Sequence, residues 1–503
     1  MTEQKLNATD YHRITSYRRH ELTPHALDWA HQPVPVKRYP DLSRVPLDRS
    51  AKLPVIDYFD LVNRRQATDP SRSKPLTIQN ISTVFSLTHN ITARAMHSDQ
   101  PFYYRSVASA GALYPFELYL AVHHVDGVEP GIYHYHLFDF CLTALRRGPV
   151  PEILPMERGI SATFFITGIF FRSAWKYRNR AYRYVLLDAG HLLENLRLAL
   201  EALDLSFSIH LDFDDERAAK LLGLDPQREV CLACVHLHDG TAEKKQPGDA
   251  CDLKPLPAEI LQASKVSDRE VAYADILTVH RAGNGAPNIV ADPPSVLHVH
   301  DNQPSSWIDL NVPDYPESAD YAQVLWQRRS RRNFISATEF PGSFMTFVDL
   351  VARNTGTASR IMPRACRSAM TLGLLVGAGM SIPPGFYLLD PDGKRLGRVL
   401  DGGLTEPMAA ACLDQMWLKH AAVHLLFMTD LPTLDRHWGP RGYRYAMIEA
   451  GRLGQQTYLA ATVLGWGACG IGAIYDREAA NLLDLAADGA LLYLVGAGPV
   501  KSR

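Results

Sequence analysis

The chain resembles itself, and that restricts its fold more than any other feature. Segment 181–203, AYRYVLLDAGHLLENLRLALEAL, matches segment 442–464, GYRYAMIEAGRLGQQTYLAATVL, at an offset of 261 residues. Tyr182-Arg183-Tyr184 falls on Tyr443-Arg444-Tyr445, and Ala189-Gly190 on Ala450-Gly451. NRRQATD from Asn63 and QRRSRRN from Gln327 are offset by 264, and RSVASAGALYP from Arg105 and RACRSAMTLGL from Arg364 by 259. Three blocks in one order at nearly one spacing indicate duplication. A length of 503 residues, which alone is compatible with about three domains, is therefore read as two copies of one fold of about 200 residues. Between them, 239–320 is a connector holding 9 of the 33 prolines. Proline fixes φ and interrupts regular helix, so only DREVAYADILTVHRAG from Asp268 is predicted to be helical there.

Within the long repeat, Ala446, Met447, Ala450, Leu453, Tyr458 and Ala461 recur at helical spacing, which predicts a helix. Gly451 and Gly454 weaken it locally but let a second backbone pack close. ELYLAVHHV (117–125) and CLACVHL (231–237) are short and rich in β-formers, so they read as strands. Helices and strands mix without regular βαβ alternation, which points to the α+β class. With 52 Lys plus Arg against 54 Asp plus Glu, the net charge excludes a protein that binds by neutralising nucleic-acid phosphates. A 46% hydrophobic content excludes a core-poor disordered chain. The first 25 residues have no apolar core and do not read as a secretory signal. The longest uncharged run, 371–389, carries four glycines and Pro383-Pro384 and is not a membrane span. Seven scattered cysteines are too few for a disulfide scaffold, and a reducing cytoplasm is expected.

Four motifs could carry chemistry. GWGACG (465–470) satisfies GxGxxG, but a dinucleotide fingerprint follows a strand and opens a helix. This one follows a helix and reads as a C-cap running into a loop, whose amides could approach a planar cofactor. Cys231, Cys234, His236 and His238 suggest zinc ligands, yet period-two geometry puts Cys231 opposite the other three. The second copy has LYLVGAG here, so a core strand is the reading and no metal is assigned. Arg328, Arg329, Ser330, Arg331 and Arg332, with Lys501 and Arg503 at the end of the same copy, form either a phosphate site or a solvated basic face. Lys176 beside Tyr177 is either a proton acceptor, given a lowered pKa, or part of a surface cation–π cluster. From the residues alone both pairs of alternatives stand.

RSVASAGALYPFELYLAV, PGIYHYH and FRSAWKYRNRAYRYVLLDAGH resemble the SagB-type, or McbC-like, dehydrogenases of the nitroreductase superfamily, as does the opening YHRITSYRRHELTPHALDWAHQP. The resemblance covers most of the first half, and the second half resembles a plainer nitroreductase. It implies two tandem nitroreductase-like α/β sandwich domains forming an intramolecular pseudo-dimer that binds FMN. The implied layout is a leader at 1–50, domain 1 at 51–240, a linker at 241–317 and domain 2 at 318–503. It implies one flavin site from Arg328, Arg329, Ser330, Arg332, Gly470, Ile471, Gly472, Lys501 and Arg503, with Ala108, Ser109, Ala110, Gly111 and Leu113 of the first copy. Proline is usual where Ala108 stands. In the counterpart site Gln66 and Thr68 replace Ser330 and Arg332, LSFSIHLDF replaces the glycine segment, and His236 and His238 replace the terminal cations. Every phosphate element weakens together, so one FMN per chain is expected. In azoline-oxidising members a Lys-Tyr pair is implicated in proton abstraction, which implies Lys176 and Tyr177 as catalytic. The second copy has His437-Trp438 there.

The implied activity is an FMN-dependent dehydrogenase acting on an azoline-type heterocycle in peptide natural-product biosynthesis. Dioxygen or NAD(P)H is its co-substrate, and a biosynthetic enzyme its partner. Two rivals stay open: an NAD(P)H-dependent nitro or quinone reductase, and a degenerate flavin-binding scaffold without catalysis. Neither nucleic acid nor membrane is expected as a partner.

Overall fold

A computed structural model describes residues 6–23, 25–39, 41–64, 75–97, 100–151, 159–238, 253–285, 299–310, 315–336, 341–353, 355 and 362–501. The chain forms two compact units. One comprises Met1–His25, Val55–Arg65 and Asn288–Arg503; the other, Ala26–Pro54 and Gln66–Pro287. The leader thus divides at residues 25 and 26, and the connector contributes to both units.

The unit built mainly from the first copy contains β1 (Arg44–Pro46), β2 (Ile91–His97), β3 (Gln100–Arg105), β4 (Phe116–Val122), β5 (Gly131–His136), β6 (Cys141–Arg147), β7 (Ile160–Ile169), β8 (Ser206–His210) and β9 (Glu229–His238). Its seven-stranded sheet has the order β1-β6-β5-β4-β7-β9-β8, and β2 with β3 form a separate hairpin. The other unit contains β10 (Ser306–Asp309), β11 (Thr371–Val376), β12 (Gly385–Asp390), β13 (Arg395–Asp401), β14 (Val423–Asp430), β15 (Gly467–Ile471) and β16 (Gly489–Gly498), in the order β10-β13-β12-β11-β14-β16-β15. Strand for strand this is the same sheet, and every neighbour in both is antiparallel. Even a bulge recurs, between Ile166 and Thr167 in one and Phe427 and Met428 in the other. The duplication read from three sequence blocks therefore extends through both sheets.

The repeated segment forms the long helices Ala181–Ala202 and Arg441–Val463, as its periodicity predicts. Both are buried along almost their whole length, so their charged residues need partners. Arg197 bridges Glu194 at 2.6 Å and Glu201 at 2.7 Å, and Arg452 bridges Glu449 at 2.6 Å. Segment 371–389 is strand β11, a connection and most of β12 rather than a span. Among the described residues no helix is long and apolar enough to cross a membrane. CLACVHL lies in β9, buried as expected for a core strand. GWGACG departs from its reading as a loop. Gly465 takes φ +70° just after the helix, but Gly467 already begins β15. The antiparallel ladder to β16 captures residues whose local sequence favours a turn. In the connector the expected helix is present as Ala274–Ala282, and Ala258–Gln262 adds a short one.

Residues of the leader and connector enter the first-copy core. Lys37 Nζ, with no exposed side-chain surface, contacts Glu229 Oε2 at 2.5 Å, the Tyr119 hydroxyl at 2.7 Å and Ser264 Oγ at 3.2 Å. Burial opposes the Lys37 charge, but Glu229 reverses that effect and its pKa is raised. In the other unit Asp435 caps helix Ala8–Ile14 through the amides of Ala8 (2.8 Å) and Thr9 (3.0 Å).

Candidate functional site

The basic motif and the glycine motif meet in the second-copy unit. Helix Tyr321–Gln327 ends at Arg328, and the chain then runs beside β15. Ser330 bridges Ala468 in parallel, and Arg331 N–H donates to the Ala468 carbonyl at 2.8 Å. The junction is organised by Tyr458 on the long helix. Its hydroxyl accepts the Gly470 N–H at 2.7 Å and lies 3.1 Å from Ser330 Oγ. The buried Arg328 guanidinium stands 5.4 Å from the Tyr458 ring centroid. Burial pushes the Tyr458 phenol pKa upward, so the hydroxyl keeps its proton. Sequence periodicity placed Tyr458 among the apolar helix positions; its phenol was the overlooked signal.

The other basic residues divide. Arg329 Nη1 donates to the carbonyls of Trp326 and Arg328, both at 2.7 Å, and so caps its own helix. Arg332 lies 5.6 Å from the Trp417 ring centroid. Lys501 exchanges 3.1 Å main-chain and amide bonds with Asn333, while its side chain is exposed. Arg503, Gln66 and Thr68 lie outside the described residues. Ile471 ends β15, and Gly472 follows it. The glycines serve packing as much as approach. A Cβ on Gly467 would meet Arg331 Cβ at 2.6 Å, and one on Gly470 would run into the Tyr493 hydroxyl. The cationic groups of Arg328, Arg332 and Lys501 and the Ser330 hydroxyl are donors of the kind that suit a phosphate.

A second cluster lies in the first-copy unit. Segment 109–114 has three left-handed residues, Gly111 (φ +64°), Ala112 (φ +55°) and Tyr114 (φ +46°). Ser109 Oγ accepts the Tyr114 N–H at 2.8 Å and donates to Asp188 Oδ2 at 2.5 Å. Ala110 N–H donates to Asp188 Oδ1 at 3.2 Å. Lys176 and Tyr177 close over this loop. A Cβ on Gly111 would stand 2.8 Å from the Tyr177 hydroxyl and 3.2 Å from Lys176 Nζ, and at φ +64° any side chain there is strained. The Tyr177 ring also packs on Tyr184 with centroids 4.2 Å apart. Leu113 packs into a small apolar cluster with Phe171 and Trp175, and Ala108 is buried. Arg172, one turn before Lys176, donates to the Tyr114 carbonyl (3.2 Å), the Val34 carbonyl (3.1 Å) and Glu117 (2.6 Å). Neither Asp188 nor Arg172 was picked from the sequence, because their partners are main-chain groups and residues distant along the chain.

Helix Phe170–Tyr177 is followed by Arg178 at φ +51°, ψ −136°, where the second copy has Gly439 at φ +59°, ψ −158°. A side chain is strained in that region. Arg178→Gly is expected to raise stability by about 1 kcal/mol, read as an increase in Tm; an unchanged or lower Tm would remove strain from the account.

Burial pushes the Asp188 carboxyl up to about 7 from its ordinary 3.8, against the opposing hydrogen bonds from Ser109 and Ala110. With the folded-state pKa raised, Asp188 is protonated in both states below pH 3.8. As pH rises toward 7 the unfolded chain releases its proton first, and stability falls. Asp188→Asn is therefore expected to gain on the wild type by up to ~4 kcal/mol between pH 4 and pH 8. Urea unfolding at the two pH values measures this, and an equal difference at both would contradict it.

Sheet register lets the two copies be compared atom group by atom group. Ser206 pairs with His238 as Gly467 pairs with Gly498, so Ile209 occupies the place of Gly470. Ile166 pairs with Ala233 as Phe427 pairs with Tyr493, so Ala233 occupies the place of Tyr493. The large and small residues have exchanged strands, conserving volume. The same register corrects the expectation that His236 and His238 replace Lys501 and Arg503: they stand at the places of Gly496 and Gly498, where His236 bonds Thr163 at 2.7 Å and His238 bonds Ser208 at 2.9 Å. The loop differs more. Glu117 pairs with Thr167 as Thr371 pairs with Met428. Ser109 thus precedes its strand position by eight residues and Ser368 by three, so the left-handed loop has no second-copy counterpart beyond Ser368-Ala369-Met370.

The Nitroreductase family model matches residues 73–237 and 389–498. A protein of Methanocaldococcus jannaschii described as a nitroreductase is 28% identical over 191 residues, 38% of this chain and 96% of that protein. The trifolitoxin-processing protein TfxB of Rhizobium leguminosarum bv. trifolii is 32% identical over 149 residues, 27% of this chain and 40% of that protein. A crystal structure of a protein from Anabaena variabilis described as a nitroreductase is 24% identical with a TM-score of 0.75, covering 98% of this chain and 99% of that one; this likeness is one of fold.

Proposed function

Because the chain belongs to the nitroreductase family, with two tandem α+β nitroreductase domains, we propose that it is an FMN-dependent oxidoreductase of the SagB or McbC type. Its substrate is an azoline-type heterocycle in a peptide natural product. The observation that carries this reading is the Lys176–Tyr177 pair closed over the Gly111 loop. The similarity to a trifolitoxin-processing protein supports a biosynthetic role, and with it a biosynthetic enzyme as partner.

Arg328, Ser330, Arg332 and Lys501 would hold the FMN phosphate, with Tyr458 fixing Ser330 and β15 in register. FMN, when bound, supplies the hydride acceptor. Oxidising an azoline to an azole removes two hydrogens, one as hydride and one as a proton. Lys176 or Tyr177 takes the proton from the ring carbon, and the other orients the ring. Loop 109–114 holds both side chains at fixed height, which limits the geometries a substrate can adopt. Dioxygen, or NAD(P)H in the reductive direction, would be the second substrate.

One FMN per chain is expected. The second copy keeps the basic motif and the β15 glycines, whereas the first copy has Gln66 and Thr68 in that motif and Ser206 and Ile209 at the glycine positions. Flavin released by denaturation, measured against protein, is expected to approach one equivalent; two equivalents would reject the asymmetry. Anaerobic addition of an azoline-bearing peptide should bleach the flavin. Bleaching by NAD(P)H alone, with none from the peptide, would instead favour the nitro or quinone reductase, which the family match also supports.

A further inference from the structure

The long first-copy helix buries three acids, and two of them, Glu194 and Glu201, are bound by Arg197. Asp188 differs. It is 3% exposed, and its hydrogen bonds come from the uncharged Ser109 hydroxyl and Ala110 amide. Its counterpart in the second copy, Glu449, pairs instead with Arg452, and the shorter second-copy loop lacks residues 111–114 in equivalent form. A carboxyl placed among neutral groups, only in the copy that has the long loop, serves that loop.

We propose that Asp188 is a positioning residue, which through Ser109 and Ala110 holds loop 111–114 in the left-handed shape on which Lys176 and Tyr177 rest. Ser109 Oγ receives Tyr114 N–H from one end of the loop and bonds Asp188 at the other, so a single hydroxyl closes the turn. Three left-handed residues persist only where surrounding bonds over-determine them. Without the carboxyl, Ser109 loses a partner, the Ala110 amide is left unmet, and the loop can relax away from Lys176 and Tyr177. Asparagine restores both bonds, accepting from Ala110 and donating to Ser109. The positioning role rests on the proposed flavin reaction, whereas the state of the loop can be measured independently.

The test compares wild type, Asp188→Ala, Asp188→Asn and Ser109→Ala as FMN-loaded full chains. Hydrogen exchange is followed at residues 110–114, with β5 as an internal reference, and FMN affinity by flavin fluorescence. Asp188→Ala and Ser109→Ala are expected to speed loop exchange about tenfold or more, leave β5 unchanged and weaken FMN about tenfold. Asp188→Asn should stay within about threefold of wild type on both measures. Equal effects of alanine and asparagine, or unchanged loop exchange in both alanine variants, would overturn the proposal. If wild type binds no FMN while the loop still loosens in the alanine variants, the functional reading fails and the loop assignment stands. Should Asp188→Ala not fold, Ser109→Ala and Asp188→Asn decide the same question.

Discussion

Replacing Lys176 with alanine is expected to lower turnover by about 10²- to 10⁴-fold, the range of a lost general acid or base, while FMN stays bound. The basis is location. Lys176 Nζ and the Tyr177 hydroxyl lie over a loop whose Gly111 takes a left-handed φ and faces both groups, and the residues proposed to hold the phosphate are others. Rapid-mixing measurement of flavin bleaching by an azoline-bearing peptide gives the rate, and flavin fluorescence gives occupancy. Normal bleaching by the variant would reject Lys176 as catalytic. Tyr177→Phe separates the two groups: a comparable loss would make the phenol the proton acceptor, and a small one would leave it to orient the ring.

Arg328→Ala should do the reverse, weakening FMN by ~10²-fold, since a buried charge-assisted contact is worth about 2–3 kcal/mol. Turnover should recover when FMN is added in excess. Arg328 is buried beside Tyr458, whose hydroxyl joins Ser330 to Gly470. Arg329→Ala is the control. Its guanidinium bonds the carbonyls of Trp326 and Arg328, so FMN affinity should change by less than about threefold. Equal losses from both arginines would mean that the motif acts as a diffuse positive field rather than through Arg328.

Much of the fold was legible because duplication prints each element twice. The long helices were evident from periodicity, and β9 from its β-formers. GWGACG was misread past its helix end because nothing local shows that β16 will pair with residues 467–471. The site was half legible. RRSRR, the glycine segment and Lys176-Tyr177 stand out as clustered residue types. Tyr458, Asp188 and Arg172 do not, since each acts on a segment far away in the chain.

The sequence by itself determined that this protein is a duplicated α+β fold, that its two copies differ in the basic motif, and that only the first carries Lys-Tyr. These follow from residue identity and spacing, which local chemistry and comparison of the copies make readable. Only the tertiary structure decided that Arg329 caps a helix while Arg328 packs on Tyr458, that Ile209 and Ala233 exchange size with Gly470 and Tyr493, and that Asp188 grips the left-handed loop. Each depends on which strands pair and which carbonyls lie within 3 Å or so of a donor, and long-range pairing is set by the packed chain as a whole.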